Sequence, residues 1–235
     1  MMRLAIIPAR GGSKRIPRKN IREFAGQPVI AWSIQVAIQS GLFDKIVVST
    51  DDEEIASISR QAGALTPFLR PAELSGDLVA TRQVINHAIK ACEAVWGGFD
   101  EVCCIYATAP LIEVEDLISA QKILTSSQAK FVFSAVEFEF PIQRAFRLNP
   151  QGEPEMIQPE HRFSRSQDLE PAFHDAAQFY WGQRDAFIAE LHMFSSQAKP
   201  YLLPPHRVRD LDTEDDWRVA LAMWHAKKDG KRTWT

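Results

Sequence analysis

Apolar residues along this chain fall into short unbroken runs separated by amphipathic stretches. Residues 4–9, 45–50, 102–107 and 131–136 have the length and continuity of strands buried on both faces. Between them the period changes to that of helices. Ile30, Ile34, Ala37 and Ile38 share one face after Pro28, and Gly41 stands where a C-cap glycine belongs. A second helix starts at Asp51-Asp52-Glu53-Glu54, with carboxylates in the first turn where the macrodipole favours them, and Gly63 closes it. Residues 66–74 read as a short strand running into a turn. Thr81 precedes a helix striped by Ile85, Ala88, Ile89 and Cys92, and another helix is expected over 115–126. Such alternation of strand and helix implies an α/β fold, a Rossmann-like, mostly parallel sheet with helices on both faces.

From 137 to about 177 the rhythm breaks. Pro141, Pro150, Pro154, Pro159 and Pro171 with scattered phenylalanines describe an extended arm that cannot bury its own apolar side chains, which points to packing against a second subunit. Near the end, Thr213 with Asp216 makes a capping box for a helix whose apolar face is Trp217, Ala220, Leu221 and Trp224. The basic tail from Lys227 is expected to fray.

The 235 residues, 46% of them hydrophobic, can bury about 70–75% of their unfolded surface in one domain, with the arm as an excursion within it. A net charge of −3 argues against a nucleic-acid partner. No apolar run reaches the ~20 residues of a membrane helix, and the N-terminus reads as a strand rather than a signal, so a cytoplasmic protein is expected. Cys92, Cys103 and Cys104 lack metal-site spacing and read as core residues.

Charge changes the picture at one place. The first strand empties into a loop with Gly11, Gly12 and five cations, Arg10, Lys14, Arg15, Arg18 and Lys19, within ten residues. These would repel one another unless an anion sat among them, and the glycines let backbone N–H groups approach it. The expected ligand is a polyphosphate. The loop is neither a dinucleotide fingerprint nor a Walker A motif, and it crosses Pro17 before a helix can begin.

A second candidate lies at Arg209-Asp210-Leu211-Asp212. The spacing puts Asp210 and Asp212 on one side of an extended segment, as hard oxygen ligands for Mg²⁺. Asp51, at a strand's C-terminal end, could face a ligand crevice there. A D-x-D motif on an α/β fold is also a metal signature of glycosyltransferases, which have no need of the cationic loop. A nucleotide-binding protein without activity is the remaining alternative.

Ala9-Arg10-Gly11-Gly12-Ser13-Lys14, followed by Lys19-Asn20, resembles the signature of the CMP-sialic acid synthetase (acylneuraminate cytidylyltransferase) family, and the likeness extends over nearly the whole chain. It implies a fold of the nucleotide-diphospho-sugar transferase type, homodimers joined through the arm, and Mg²⁺ on Asp210 and Asp212. Arg10, Gly11, Gly12, Ser13, Lys14 and Lys19 would wrap the CTP triphosphate, Asn20 would lie on the nucleoside side, and Arg70, in Arg-Pro-x-Glu-Leu, would help hold the nucleotide. Thr81 falls where the family has a small hydroxyl near the base, a role compatible with N-capping. Tyr106-Ala107-Thr108-Ala109-Pro110 departs from the Gln-Pro-Thr-Ser-Pro of the sialic-acid enzymes. With the segments around Arg165 and His174 to Gly182, it resembles the pseudaminic-acid branch of the family. Tyr106, Thr108, Arg165, His174 and Gln178 are then the sugar contacts, with Arg165 on the acceptor carboxylate. His174-Asp175 as a catalytic dyad is disfavoured, because adjacent residues rarely form one. The implied reaction is attack by the anomeric hydroxyl of a nine-carbon nonulosonic acid, pseudaminic acid, on the α-phosphorus of CTP to give the CMP-sugar and pyrophosphate, with Arg10, Lys14, Lys19, Asp210 and Asp212 as the catalytic groups; sialic, legionaminic or 3-deoxy-octulosonic acid is the alternative acceptor. The implied fate of the product is glycosylation of flagellin or surface polysaccharide.

Overall fold

The structure, a computed structural model, describes residues 1–232, with side chains described through residue 228. In chain order the strands are β1 (Arg3–Pro8), β2 (Glu23–Phe24), β3 (Gln27–Pro28), β4 (Lys45–Ser49), β5 (Glu101–Ile105), β6 (Phe131–Glu137), β7 (Phe146–Leu148), β8 (Pro154–Met156), β9 (Phe173–Gln183) and β10 (Ala198–Leu202). The helices are α1 (Val29–Ser40), α2 (Glu53–Gln61), α3 (Thr81–Trp96), α4 (Val114–Ser126), α5 (Arg184–Ile188) and α6 (Glu214–Arg232).

Six strands form one sheet in the order β10-β6-β9-β5-β1-β4. Neighbours pair in parallel except β9, which runs antiparallel to both β5 and β6. The sheet is therefore mostly parallel, with a reversed strand at its centre. Alternation along β1 sends Ala5 and Ile7 into a core with Ile34, Val48 and Trp181, and Leu4 and Ile6 into a second core with Ile85, Ile89 and Phe187 on the other face. All three cysteines are free and buried, and burial pushes the Cys92 thiol up to about 12 and raises the other two as well.

Helix starts follow local chemistry. Asp52 caps α2 by accepting a 3.0 Å bond from the Ile55 N–H, and Thr213 and Asp216 form the expected box at α6. At α4 the box is Glu113 with Asp116, so this helix begins at Val114. Two expectations fail locally. Residues 66–74 make no strand, because Pro67 and Pro71 remove ladder donors; Leu65 forms an isolated bridge with Val47, and a single 3₁₀ turn spans Ala72–Leu74. Thr81 is the first helical residue, with Ala80 at the N-cap, so its hydroxyl is not used as a cap.

A third core joins the ends of the chain. Ile16, Phe24, Val29 and Leu111 pack against Leu211, Trp217 and Trp224, with Phe24 edge-on to Trp217 at 5.6 Å. This contact brings the segment before α6 beside the loop after β1. The helix continues through Lys227, which pairs with Glu113 at 2.9 Å, and Lys228, which lies 4.0 Å from the Trp224 ring. The end of the expected fraying tail, residues 233–235, lies outside the described residues.

The excursion from the sheet occupies residues 138–172 and contains only the β7/β8 hairpin and short 3₁₀ turns. Phe140, Phe146, Leu148, Ile157 and Phe163 on it are exposed. His174 to Gly182 belong to β9, inside the main sheet.

Candidate active site

β1, β4 and β5 are parallel, so their C-terminal ends open on one edge of the sheet, where open α/β folds bind ligands. A cleft of about 300 Å³ lies there. Arg10, Ser13, Lys14, Arg15, Lys19, Asn20, Arg70, Thr81, Tyr106 and Thr108 line it, together with Asp77.

The loop after β1 is held from behind by side chains far away in sequence. Asn20, nearly buried, donates its amide to the Arg10 carbonyl at 2.9 Å and closes the loop on itself. The Gly11 N–H is donated to Asp51 Oδ1 at 3.1 Å. A Cβ on Gly11 would stand 2.6 Å from Asp52 Oδ2, so only glycine lets the loop approach α2 this closely. Gly11 and Gly12 are thus in the scaffold of the loop, and neither lines the cleft. Arg18 adopts a left-handed backbone (φ 55°) and turns outward, bonding Asp52 at 2.5 and 3.0 Å and Glu54 at 2.5 Å. The Arg18 guanidinium, its bond first, holds the Asp52 carboxyl down at about 2.

Each of the five loop cations has a carboxylate partner supplied by the fold. Arg10 and Lys14 share Asp77, Arg15 and Lys19 meet Asp212 at 2.9 and 3.2 Å, and Arg18 is held by α2. The counter-charge that the sequence demanded is therefore internal in this structure. Asp77 and Asp212 sit on the cations that face the cleft, where an incoming polyanion would meet them.

Arg70 is buried in the wall of the cleft. Its backbone N–H bonds the Thr50 carbonyl at 2.7 Å, and its Nη2 lies 3.5 Å from Asp51 Oδ1. Nε and Nη2 are buried with no hydrogen-bond acceptor, a cost of about 1–3 kcal/mol per unsatisfied group that a ligand acceptor would relieve. Burial, opposed by Asp51, lowers its affinity for its proton. Asp51 thus touches both the loop and Arg70.

Asp210 and Asp212 flank Leu211, which is fully buried in the third core, so both carboxylates are turned away from that core; Asp212 meets Arg15 and Lys19. The Asp210 carboxyl is shifted up, first by withdrawal from solvent and then by the Asp212 charge, with Lys19 opposing. Two carboxylates on one side of an extended segment fit a hard divalent cation, and Mg²⁺ commonly takes one or two carboxylates plus phosphate oxygens. No cluster of three or more metal-ligating side chains exists among the described residues, so protein ligands alone would not complete such a site.

At the floor of the cleft Thr81 Oγ1 stands 3.4 Å from the Tyr106 hydroxyl. The remaining expected sugar contacts do not line this cleft. Arg165 is on the arm, exposed and 3.7 Å from Asp168; His174 packs on Phe138 with Nδ1 2.9 Å from the Asp175 carbonyl. Gln178 is buried and donates its amide to the Ala176 carbonyl at 2.8 Å, while its own carbonyl accepts the Tyr106 N–H. Asp77 was missed from the sequence, because a lone aspartate in a Ser-Gly-Asp turn carries no signal there.

A model of the cytidylyltransferase family matches residues 4–201. The pseudaminic acid cytidylyltransferase of Campylobacter jejuni serotype O:2 is 45% identical over 95% of this chain and 97% of its own length. The CMP-N,N'-diacetyllegionaminic acid synthase of Legionella pneumophila is 32% identical over 92% of this chain and 93% of its own. Among solved structures, CMP:2-keto-3-deoxy-manno-octonic acid synthetase complexed with CTP superposes with a TM-score of 0.70 at 14% identity, over 97% of this chain and all of that one, which shows the shared fold.

Proposed function

This chain belongs to the cytidylyltransferase family, and we propose a division of labour among its residues in that family's reaction. The protein is a nucleotidyltransferase that joins CTP and a nonulosonic acid, pseudaminic acid, to give the CMP-sugar and pyrophosphate. The observation that carries this reading is the cationic cleft at the strand ends, in a chain 45% identical to such an enzyme along almost its full length.

Phosphoryl-type transfer needs charge neutralisation and in-line positioning rather than covalent help from the protein. Lys14 and Arg10, which share Asp77, would bind the leaving pyrophosphate in its place, and Lys19, paired with Asp212, would bind the neighbouring phosphate. Ser13 adds a hydroxyl to the phosphates. Asn20 acts from behind, by keeping the Arg10 carbonyl fixed while the guanidinium turns into the cleft. Arg70 offers its unsatisfied N–H groups to the nucleotide, and Thr81 its hydroxyl near the base. Asp210 and Asp212 would hold Mg²⁺, which would supply Lewis-acid polarisation of the α-phosphate and a lower pKa for the attacking hydroxyl. Tyr106 and Thr108 face the sugar.

Arg165, His174 and the exposed phenylalanines of residues 138–172 belong to a surface that a second copy would cover, which supports a homodimer with the arm at its interface. No helix among the described residues is long and apolar enough to cross a membrane; a cytoplasmic location is part of this reading, because the reaction consumes CTP.

Pyrophosphate release measured with CTP and Mg²⁺, offering pseudaminic acid and sialic acid in parallel, tests the reading. Release with pseudaminic acid alone is expected. Equal release with sialic acid would keep the chemistry and overturn the acceptor; no release with either would leave a nucleotide-binding protein.

A further inference from the structure

Asp51 stands between two parts of the cleft wall. One of its oxygens, Oδ1, accepts the Gly11 N–H at 3.1 Å and lies 3.5 Å from Nη2 of Arg70. The backbone puts it there. β1 and β4 run in register as far as Pro8↔Ser49, the Ala9 N–H continues the ladder by donating to the Ser49 carbonyl at 3.0 Å, and the Arg70 N–H donates to the Thr50 carbonyl at 2.7 Å. Asp51 is the next residue after these bonds, with the cationic loop on one side and Arg70 on the other. Its neighbour Asp52 is already committed, capping α2 through the Ile55 N–H and holding the Arg18 guanidinium. The adjacent carboxylates thus divide their work, Asp52 on the helix and Asp51 on the cleft wall.

The Arg70 side chain is only 4% exposed, and among the described residues Asp51 alone forms an ion pair with it. Loss of that partner would leave a buried charge uncompensated. At 3.5 Å the contact compensates the charge but is too long for a hydrogen bond, so Nε and Nη2 keep their N–H groups open to another acceptor. Arg70 lines the cleft and Asp51 does not, which places the carboxylate behind the guanidinium. Asp77 is the contrast, because it lines the cleft and takes the ligand side of Arg10 and Lys14.

Resting on the cytidylyltransferase reading of this cleft, we propose that Asp51 is a positioning residue that ties the Arg70 guanidinium to the backbone of the cationic loop, so that loop and guanidinium hold CTP as one frame. Asp51 acts through Gly11 and Arg70 and not on the nucleotide itself.

The test is a double-mutant cycle of Asp51→Asn and Arg70→Gln, read as the Kd for CTP by titration calorimetry, with the melting temperature of each protein recorded. Asn keeps an oxygen for the Gly11 N–H and removes the charge beside Arg70. Asp51→Asn is expected to weaken CTP binding about 3–10-fold, the size of one polar interaction and opposite in sign to the effect of removing a carboxylate from the ligand side. In the Arg70→Gln background the same change should add little, because the group it acts through is gone. Asp51→Ala also strands the Gly11 N–H, so it should cost more than Asp51→Asn, and that excess should persist without Arg70. Tighter CTP binding by Asp51→Asn would make Asp51 a competitor of the ligand and overturn the proposal. So would an unchanged Kd, equal losses with and without Arg70, or an alanine variant no weaker than the asparagine one. Wild-type pyrophosphate release with CTP, Mg²⁺ and pseudaminic acid is measured alongside. Normal release with an additive cycle overturns the positioning role alone, whereas a wild-type protein that binds no CTP overturns the reading of the cleft and the proposal with it.

Discussion

The ammonium of Lys14 lies 2.5 Å from Asp77 Oδ2, while the other oxygen of the same carboxylate meets Arg10. Asp77 therefore occupies, with one negative charge, a place suited to a phosphate. Lys14 and Arg10, the bond to Lys14 first, hold its carboxyl below the usual range, so Asp77 stays charged and competes at neutral pH.

Removing that competitor should strengthen nucleotide binding. Asp77→Asn is expected to tighten CTP about 2–5-fold, an effect that shrinks as salt is added, as surface ion pairs do. Titration calorimetry at two ionic strengths measures it. Weaker CTP binding in the variant would mean that Asp77 organises the loop instead of competing for it.

Asp212 is the second carboxylate on the loop cations, and its proposed metal role separates binding from chemistry. Asp212→Asn should lower kcat roughly 10²–10³-fold while CTP still binds through Arg10, Lys14 and Arg70. Near-normal turnover would remove Asp212 from the reaction.

The ion pair of Arg18 with Asp52 has a pH signature. The Asp52 carboxyl titrates at about 2 in the folded chain against 3.8 as its ordinary value. A depressed carboxylate stabilises the fold fully above its unfolded pKa and loses that contribution as pH falls through the folded one. The contribution should thus be present at neutral pH and fade between about 3.8 and 2. Asn remains a good N-cap, so Asp52→Asn tests the ion pair without uncapping α2. Its melting temperature should approach that of the wild type as pH is lowered through this window; a constant gap would refute the assignment.

Gly182 tests the centre of the sheet. A Cβ there would stand 2.6 Å from Phe131 and 2.7 Å from Phe187, both in the core and in edge contact with each other. Gly182→Ala should destabilise by about 1–3 kcal/mol through overpacking, seen as a lower denaturation midpoint with unchanged slope. An unchanged midpoint would show that both rings can yield.

Much of this was legible in the residues. The buried strands announce themselves as continuous apolar runs, the helices by their period and caps, and the cationic loop by a local charge density that demands counter-charge. Asp210 and Asp212 could be assigned to one side because Leu211 between them is apolar. Less legible was residue 66–74, where apolar residues looked like a strand until the two prolines were weighed as missing donors. The arm was visible as broken rhythm, yet its C-terminal boundary was not, because His174 to Gly182 has the mixed pattern of a strand with an irregularity inside it.

The sequence by itself determined the order of elements, the α/β class, the cation-rich loop and its likeness to a nucleotide-binding signature, since each depends on residues close together in the chain. Tertiary structure alone decided which carboxylate meets which cation. Asp77 reaches Arg10 across 67 residues and Asp212 reaches Lys19 across 193, and no local pattern encodes such pairings. It likewise decided that β9 enters the sheet in reverse between β5 and β6, and that an irregularity at Ala177 brings Asp175 round to Tyr180. Strand order and register follow from the packing of whole faces, so they exist only once the chain has closed on itself.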